Sequence, residues 1–79
     1  MEKNAIVEKT LIIIRQVLKN EKIEWNGELT AEEINGWDSL SHMIIITELE
    51  NEFKIKFKLK ELNKLDNLDS LITLIQSKV

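Results

Sequence analysis

The sequence predicts an all-α protein, an antiparallel bundle of three main helices plus one short helix. Three observations lead there. Apolar residues recur at helical spacing in three separate segments. Only two glycines and no proline are present to interrupt them. One stretch, residues 54–60, alternates strictly as Lys-Ile-Lys-Phe-Lys-Leu-Lys, but nothing else in the chain alternates to pair with it. With 79 residues, the expectation is a single domain over 1–79.

The first helix is expected over 5–18, where Val7, Leu11, Ile14 and Leu18 form a stripe widened by Ile6, Ile13 and Val17. Asn4 is its expected cap and Asn20 its expected stop. Residues 20–37 show no sustained period. Asn26-Gly27 signals a turn there, and Thr30-Ala31-Glu32-Glu33 fits a capping box over one short turn. Ile23, Trp25, Leu29 and Ile34 are expected to pin this long connection to the core, and long connections are often functional.

A second helix is expected from Ser39 to Phe53, with Ile45, Ile46, Leu49 and Phe53 inward, Leu40 and Met43 flanking them, and Ile44 nearly opposite beside Thr47, Glu48 and Asn51. Residues 54–60 then read as an extended connector with Ile55 and Phe57 turned inward. A short helical turn through Leu59, Leu62 and Leu65 follows. Asp66 or Asn67 should cap a final helix carrying Leu68, Leu71, Ile72, Ile75 and Val79.

Composition excludes several functions. The absence of cysteine removes disulfides, zinc-thiolate sites and a cysteine nucleophile. One histidine, His42, cannot make a multi-histidine metal site, and a Ser-His-Asp triad could form only around it. No apolar run approaches the roughly 20 residues of a membrane span, and Met1-Glu2-Lys3-Asn4 lacks a signal-peptide layout. The expectation is therefore a small soluble cytoplasmic protein, a monomer, in a binding or carrier role. Charge is uneven: between 21 and 53, Lys22 stands alone against Glu21, Glu24, Glu28, Glu32, Glu33, Asp38, Glu48, Glu50 and Glu52. This acidic middle disfavours nucleic acid and suits partners with basic surfaces.

The informative motif is Gly36-Trp37-Asp38-Ser39-Leu40. Asp38 is a good N-cap, which puts Ser39 at the first helical position with its hydroxyl toward solvent. Free backbone N–H groups and the helix dipole favour an anionic group there, and a phosphodiester on Ser39 would suit that field. Gly36 provides backbone freedom where the loop turns sharply into the helix.

This motif, followed by Leu49-Glu50-Asn51-Glu52-Phe53 and Ile55, resembles the acyl carrier protein family, and the helix order along the whole chain resembles it too. The resemblance implies a non-enzymatic carrier in which Ser39 bears 4′-phosphopantetheine, installed from coenzyme A by a separate phosphopantetheinyl transferase. The imported thiol would hold acyl groups as thioesters, consistent with a chain that has no cysteine of its own. By the same resemblance Asp38 helps the transferase and its metal ion, and Leu40 is both core anchor and transferase contact. Met43, Ile46, Leu49 and Phe53 match the inward side, which would line a space for a short acyl chain. Implied partners are the transferase, an acyl- or aminoacyl-loading ligase, and downstream acyl-processing enzymes, with Ser41, Ile44, Thr47, Glu48 and Asn51 as the contact face.

Fatty-acid members carry carboxylates soon after the serine, whereas Ser41 and Ile44 stand here and carboxylates arrive at Glu48, Glu50 and Glu52. That departure, with Trp37 before Asp-Ser-Leu, points toward a specialised or aminoacyl pathway rather than housekeeping fatty-acid biosynthesis. The alternatives are an aminoacyl or D-alanyl carrier, and a helical adaptor that is never modified. His42 reads as a half-buried packing residue rather than a base, Trp25 and Trp37 as loop anchors, and Lys54, Lys56, Lys58 and Lys60 as a solvated edge.

Overall fold

The computed structural model describes residues 2–79 and measures 27 × 25 × 22 Å. Its helices are α1 (Lys3–Leu18), α2 (Ser39–Phe53), α3 (Leu59–Leu62) and α4 (Leu68–Lys78), with a 3-10 turn at Ala31–Glu33 before α2. No strand occurs among the described residues, and the connector is shorter than the expected 54–60: Lys54 ends α2, residues 55–58 are irregular with Ile55 buried and Phe57 half-buried, and Leu59 and Lys60 already belong to α3. Alternation here aims two apolar side chains inward without any ladder.

Helix α1 packs against both α2 and α4. The core is almost wholly aliphatic: Ile6, Ile13 and Ile14 from α1, Ile45, Ile46 and Leu49 from α2, and Leu68, Leu71, Ile72 and Ile75 from α4, closed by Phe53, Ile34 and Ile55. Each such side chain stabilises the fold by about 1.5–3 kcal/mol relative to exposure. On α1 the buried line runs through Ile6, Thr10, Ile13 and Ile14, with Val7, Val17 and Leu18 at its border. On α4, Val79 is exposed at the C-cap, contrary to its place in the expected apolar stripe, because the helix ends at Lys78 and nothing packs beyond it.

Helix ends differ from expectation where backbone groups outcompete side chains. The N–H groups of Ala5 and Ile6 both donate to the Glu2 carbonyl, so α1 begins ahead of Asn4 and Glu2 holds the cap position without a side-chain bond. Its end is made by Lys19 at φ 53, in the left-handed region, while the Asn20 N–H reaches back to the Arg15 carbonyl at 3.0 Å. Lys54, at φ 56, ends α2 in the same way. Asn67 caps α4, its side chain accepting the Ser70 N–H at 2.9 Å, so of the two expected candidates Asn67 takes the role.

The long first loop is a strap tied at both sides. Arg15 Nε donates to the Ile23 carbonyl at 2.7 Å. Asn26 accepts from Glu28 and Leu29 to make the expected turn. Two amides of α4's first turn, which have no intrahelical acceptor, are satisfied by this loop: Leu68 N–H by the Leu29 carbonyl at 3.0 Å and Asp69 N–H by that of Gly27 at 2.9 Å. At the 3-10 turn, Glu33 accepts the Thr30 N–H at 3.1 Å, as the capping-box pattern anticipates, and the Thr30 hydroxyl also donates to it at 3.1 Å. The strap fixes the direction from which the chain enters α2.

Candidate functional site

Gly36 begins the approach to α2 at φ +89, a conformation side-chain-bearing residues rarely adopt. A Cβ there would meet only a Leu18 methyl at ordinary contact distance, so the backbone angle and not crowding selects glycine. Asp38 is the N-cap: its Oδ1 accepts the Ser41 N–H at 2.8 Å, and its carbonyl accepts the His42 N–H at 2.8 Å. Hydrogen bonds from Ser41, backbone first, hold the exposed Asp38 carboxyl below its ordinary value. Asp38 is therefore an anion at neutral pH, beside Ser39.

Ser39 opens α2 and is exposed. An open groove of about 460 Å³ runs past it, bounded by Trp37, Asp38, His42 and Met43. Trp37 Nε1 donates to His42 Nδ1 at 3.0 Å, with ring centroids 6.1 Å apart. That bond requires neutral imidazole with its proton on Nε2. Both rings are half-buried, so His42 is the packing residue expected, with an added hydrogen-bonding role that sequence spacing does not reveal. Among the described residues, no cluster of three or more His, Cys, Asp or Glu side chains could hold a metal ion.

Several assignments change. Leu40 is 72% exposed, so it anchors no core; the first turn of α2 projects beyond the bundle, and nothing lies over that position. Met43, expected inward, is 56% exposed for the same reason and borders the groove instead. Ser41, expected on the contact face, is half-buried, its hydroxyl donating to the Gly36 carbonyl at 2.7 Å while its N–H serves the cap. Its polar groups are used to bind loop to helix. Glu50 is also committed, accepting the Phe57 N–H at 2.8 Å, and Glu52 pairs with Lys9 at 3.1 Å.

Ile44, Thr47, Glu48 and Asn51 do share one exposed face of α2, with Ile44 at 43% exposure. Together with Leu40 they extend from the serine down the helix as a mainly uncharged strip in which Glu48 is the carboxylate. The helix spacing of these residues is legible in sequence, whereas the inward commitments of Ser41 and Glu50 depend on loops that no periodicity describes.

A solution NMR structure of the holo acyl carrier protein from Geobacter metallireducens matches this fold with a TM-score of 0.86, at 42% sequence identity over 92% of this chain and 84% of that one. The chain belongs to the acyl carrier protein family. Scans against family models and against curated proteins return no match. As a family member it has a carrier role, and the four helices without strands among the described residues match that structure's fold. Among the described residues, no helix is long and apolar enough to cross a membrane.

Proposed function

We propose that this acyl carrier is modified on Ser39 with 4′-phosphopantetheine from coenzyme A, and that residues 1–79 act as one carrier domain shuttling thioester-bound cargo between enzymes of a fatty-acid-like or specialised pathway. The observation that carries this reading is the position of Ser39: exposed, first in α2, beside a groove, at the end where unpaired helix amides favour a phosphate. The residues fit the group. No side chain of the cap is spent on the serine, because Asp38 is turned to Ser41.

In the modification, Ser39 Oγ forms the new P–O bond to the pantetheine phosphate of coenzyme A, its proton leaves, and adenosine 3′,5′-bisphosphate departs. The arm, when bound, supplies a terminal thiol for thioester formation. Asp38 offers a carboxylate to the transferase and its metal ion, and exposed Leu40 offers an apolar contact to the same enzyme. The strip Ile44, Thr47, Glu48 and Asn51 serves loading ligases and acyl-processing enzymes. Ser39 tethers and does not catalyse. The carrier works as a cytoplasmic monomer with no nucleic-acid partner.

A second reading, an aminoacyl or D-alanyl carrier, is favoured by the mainly uncharged strip and differs only in the ligase that loads it. An unmodified adaptor is the remaining alternative. Intact-protein mass spectrometry after incubation with coenzyme A and a broad-specificity transferase separates either carrier from the adaptor. The wild type should gain one arm and Ser39→Ala none, with stability changed by less than about 0.5 kcal/mol. An unmodified wild type supports the adaptor; a modified alanine variant displaces the site from Ser39.

A further inference from the structure

One stretch of the surface departs from the acidic character of the rest. Residues 54–64 hold Lys54, Lys56, Lys58, Lys60 and Lys64 against one acid, Glu61, in a chain whose net charge is −3. All five lysines are exposed, and none forms an ion pair among the described residues. The carboxylates closest in sequence are engaged elsewhere: Glu61 pairs with Lys78 of α4 at 3.0 Å, Glu52 pairs with Lys9 of α1, and Glu50 accepts the Phe57 N–H. Inward placement of Ile55 and Phe57 leaves Lys56 and Lys58 outward, and Lys60 and Lys64 follow within and just past α3. In the middle of this basic edge stands Leu59, 75% exposed, the most exposed large apolar side chain among the described residues.

Lysine and leucine together narrow the partner. Lys is a compact point charge on a flexible stem, and it is depleted from protein–protein interfaces, where the planar guanidinium of Arg is preferred. The chain's one arginine, Arg15, lies on α1 and not on this edge. A row of independent ammonium groups suits anions that move to meet it, as lipid headgroup phosphates do within a leaflet. Leu59 suits the same surface: it enters the acyl boundary while the flanking lysine stems lie along it and keep their ammonium groups at phosphate level. A free acidic polymer would gain nothing from Leu59. The acidic remainder of the chain is repelled by such a surface, so the protein would meet it by this edge alone.

We propose that the basic edge from Lys54 to Lys64, centred on Leu59, docks this carrier reversibly onto anionic lipid surfaces. The contact is peripheral, made by lysines at the headgroups and one leucine at the acyl boundary. It is independent of whether Ser39 bears an arm, and it goes beyond the carrier reading by stating where the carrier stands when it meets enzymes at a membrane.

The test is co-sedimentation of the full chain with vesicles of phosphatidylglycerol and phosphatidylcholine, against phosphatidylcholine alone, at low and at physiological salt. Wild type and Ser39→Ala should both bind the mixed vesicles, more weakly as salt rises, and should not bind the neutral ones. Lys56→Gln combined with Lys60→Gln should weaken binding by about fivefold for each lysine. The matched control is Lys19→Gln combined with Lys22→Gln, which changes net charge equally at exposed positions beside a different groove, at the end of α1, and should leave binding unchanged. Leu59→Ser should weaken binding most visibly at physiological salt, where the charges are screened. All these positions are exposed, and circular dichroism checks that each variant is folded. Soluble poly-glutamate, run alongside, separates a lipid surface from an acidic protein. Wild type that stays off the mixed vesicles at low salt overturns the proposal, as does equal loss of binding in the two lysine pairs. Poly-glutamate binding as tight as vesicle binding, with neither altered by Leu59→Ser, assigns the edge to an acidic protein and overturns it as well.

Discussion

Thr10 sits in the middle of α1 with no exposed surface, and its hydroxyl has no hydrogen-bond partner among the described residues. Leaving such a group unsatisfied in an apolar surround costs about 1–3 kcal/mol. Thr10→Val replaces the hydroxyl with a methyl of nearly the same shape, among neighbours such as Ile6, Ile13 and Ile14 on the same helix. Helix propensities of Thr and Val are close, so the helix itself should be indifferent. Stability should therefore rise by about 1 kcal/mol or more, which for a domain of this size raises Tm by about 4–8 °C. Thr10→Ser is the matched control. It keeps the hydroxyl and loses one methyl, so it should lower stability by about 1 kcal/mol. Urea titrations followed by circular dichroism measure both, and an unchanged m value shows that the same surface is exposed on unfolding. If Thr10→Val is no more stable than the wild type, the hydroxyl is satisfied in solution, most simply by the carbonyl one helical turn back, and the orphan-group reasoning fails.

Three further outcomes follow from the structure. Phe53→Ala, at a position 7% exposed where α2 ends on the core, should cost about 3–5 kcal/mol; a thermal midpoint within a few degrees of wild type refutes its burial. For Asp38, the folded carboxyl titrates below its ordinary value, so its charge contributes stability above the unfolded pKa, and that contribution is lost as pH falls through the lower folded value. Asp38→Asn keeps a cap acceptor but cannot titrate, so the wild type's advantage should be full at neutral pH and shrink in acid; an advantage independent of pH would show that the charge is irrelevant to the cap. Ile44→Ala should weaken recognition by the native loading enzyme by more than about 1 kcal/mol, while Ile44→Glu should improve acceptance by fatty-acid enzymes. Loading kinetics at low and high salt measure both, and normal cognate loading of the alanine variant removes Ile44 from the interface.

Much of this protein was legible in its residue order. The bounds of α2, the Asp38 cap, the inward set Ile45, Ile46, Leu49 and Phe53, and the exposed Ile44 all follow from a 3.6-residue period and from capping chemistry, which act within one or two helical turns. The Gly36-to-Leu40 motif marked the site because it combines a backbone requirement, a cap and a hydroxyl in five consecutive residues. The family resemblance seen on those residues is borne out by the structural match.

Tertiary contacts set the rest, wherever a residue's partner is distant in the chain or geometry ends a packing surface. A helical wheel places Leu40 and Met43 beside the core stripe, but α2 begins outside the bundle, so both are exposed. Ser41 and Glu50 look like surface polar residues until Gly36 and Phe57 are brought to them. The burial of Thr10 follows from α1 lying between α2 and α4, which buries a line that hydrophobicity alone would have placed elsewhere. The hydrogen bond from Trp37 to His42 joins a loop residue to the first turn of α2, a pairing that no periodicity describes. Periodicity reports which face of one helix is apolar; what stands opposite that face, and how far the cover extends, is set by contacts between segments tens of residues apart.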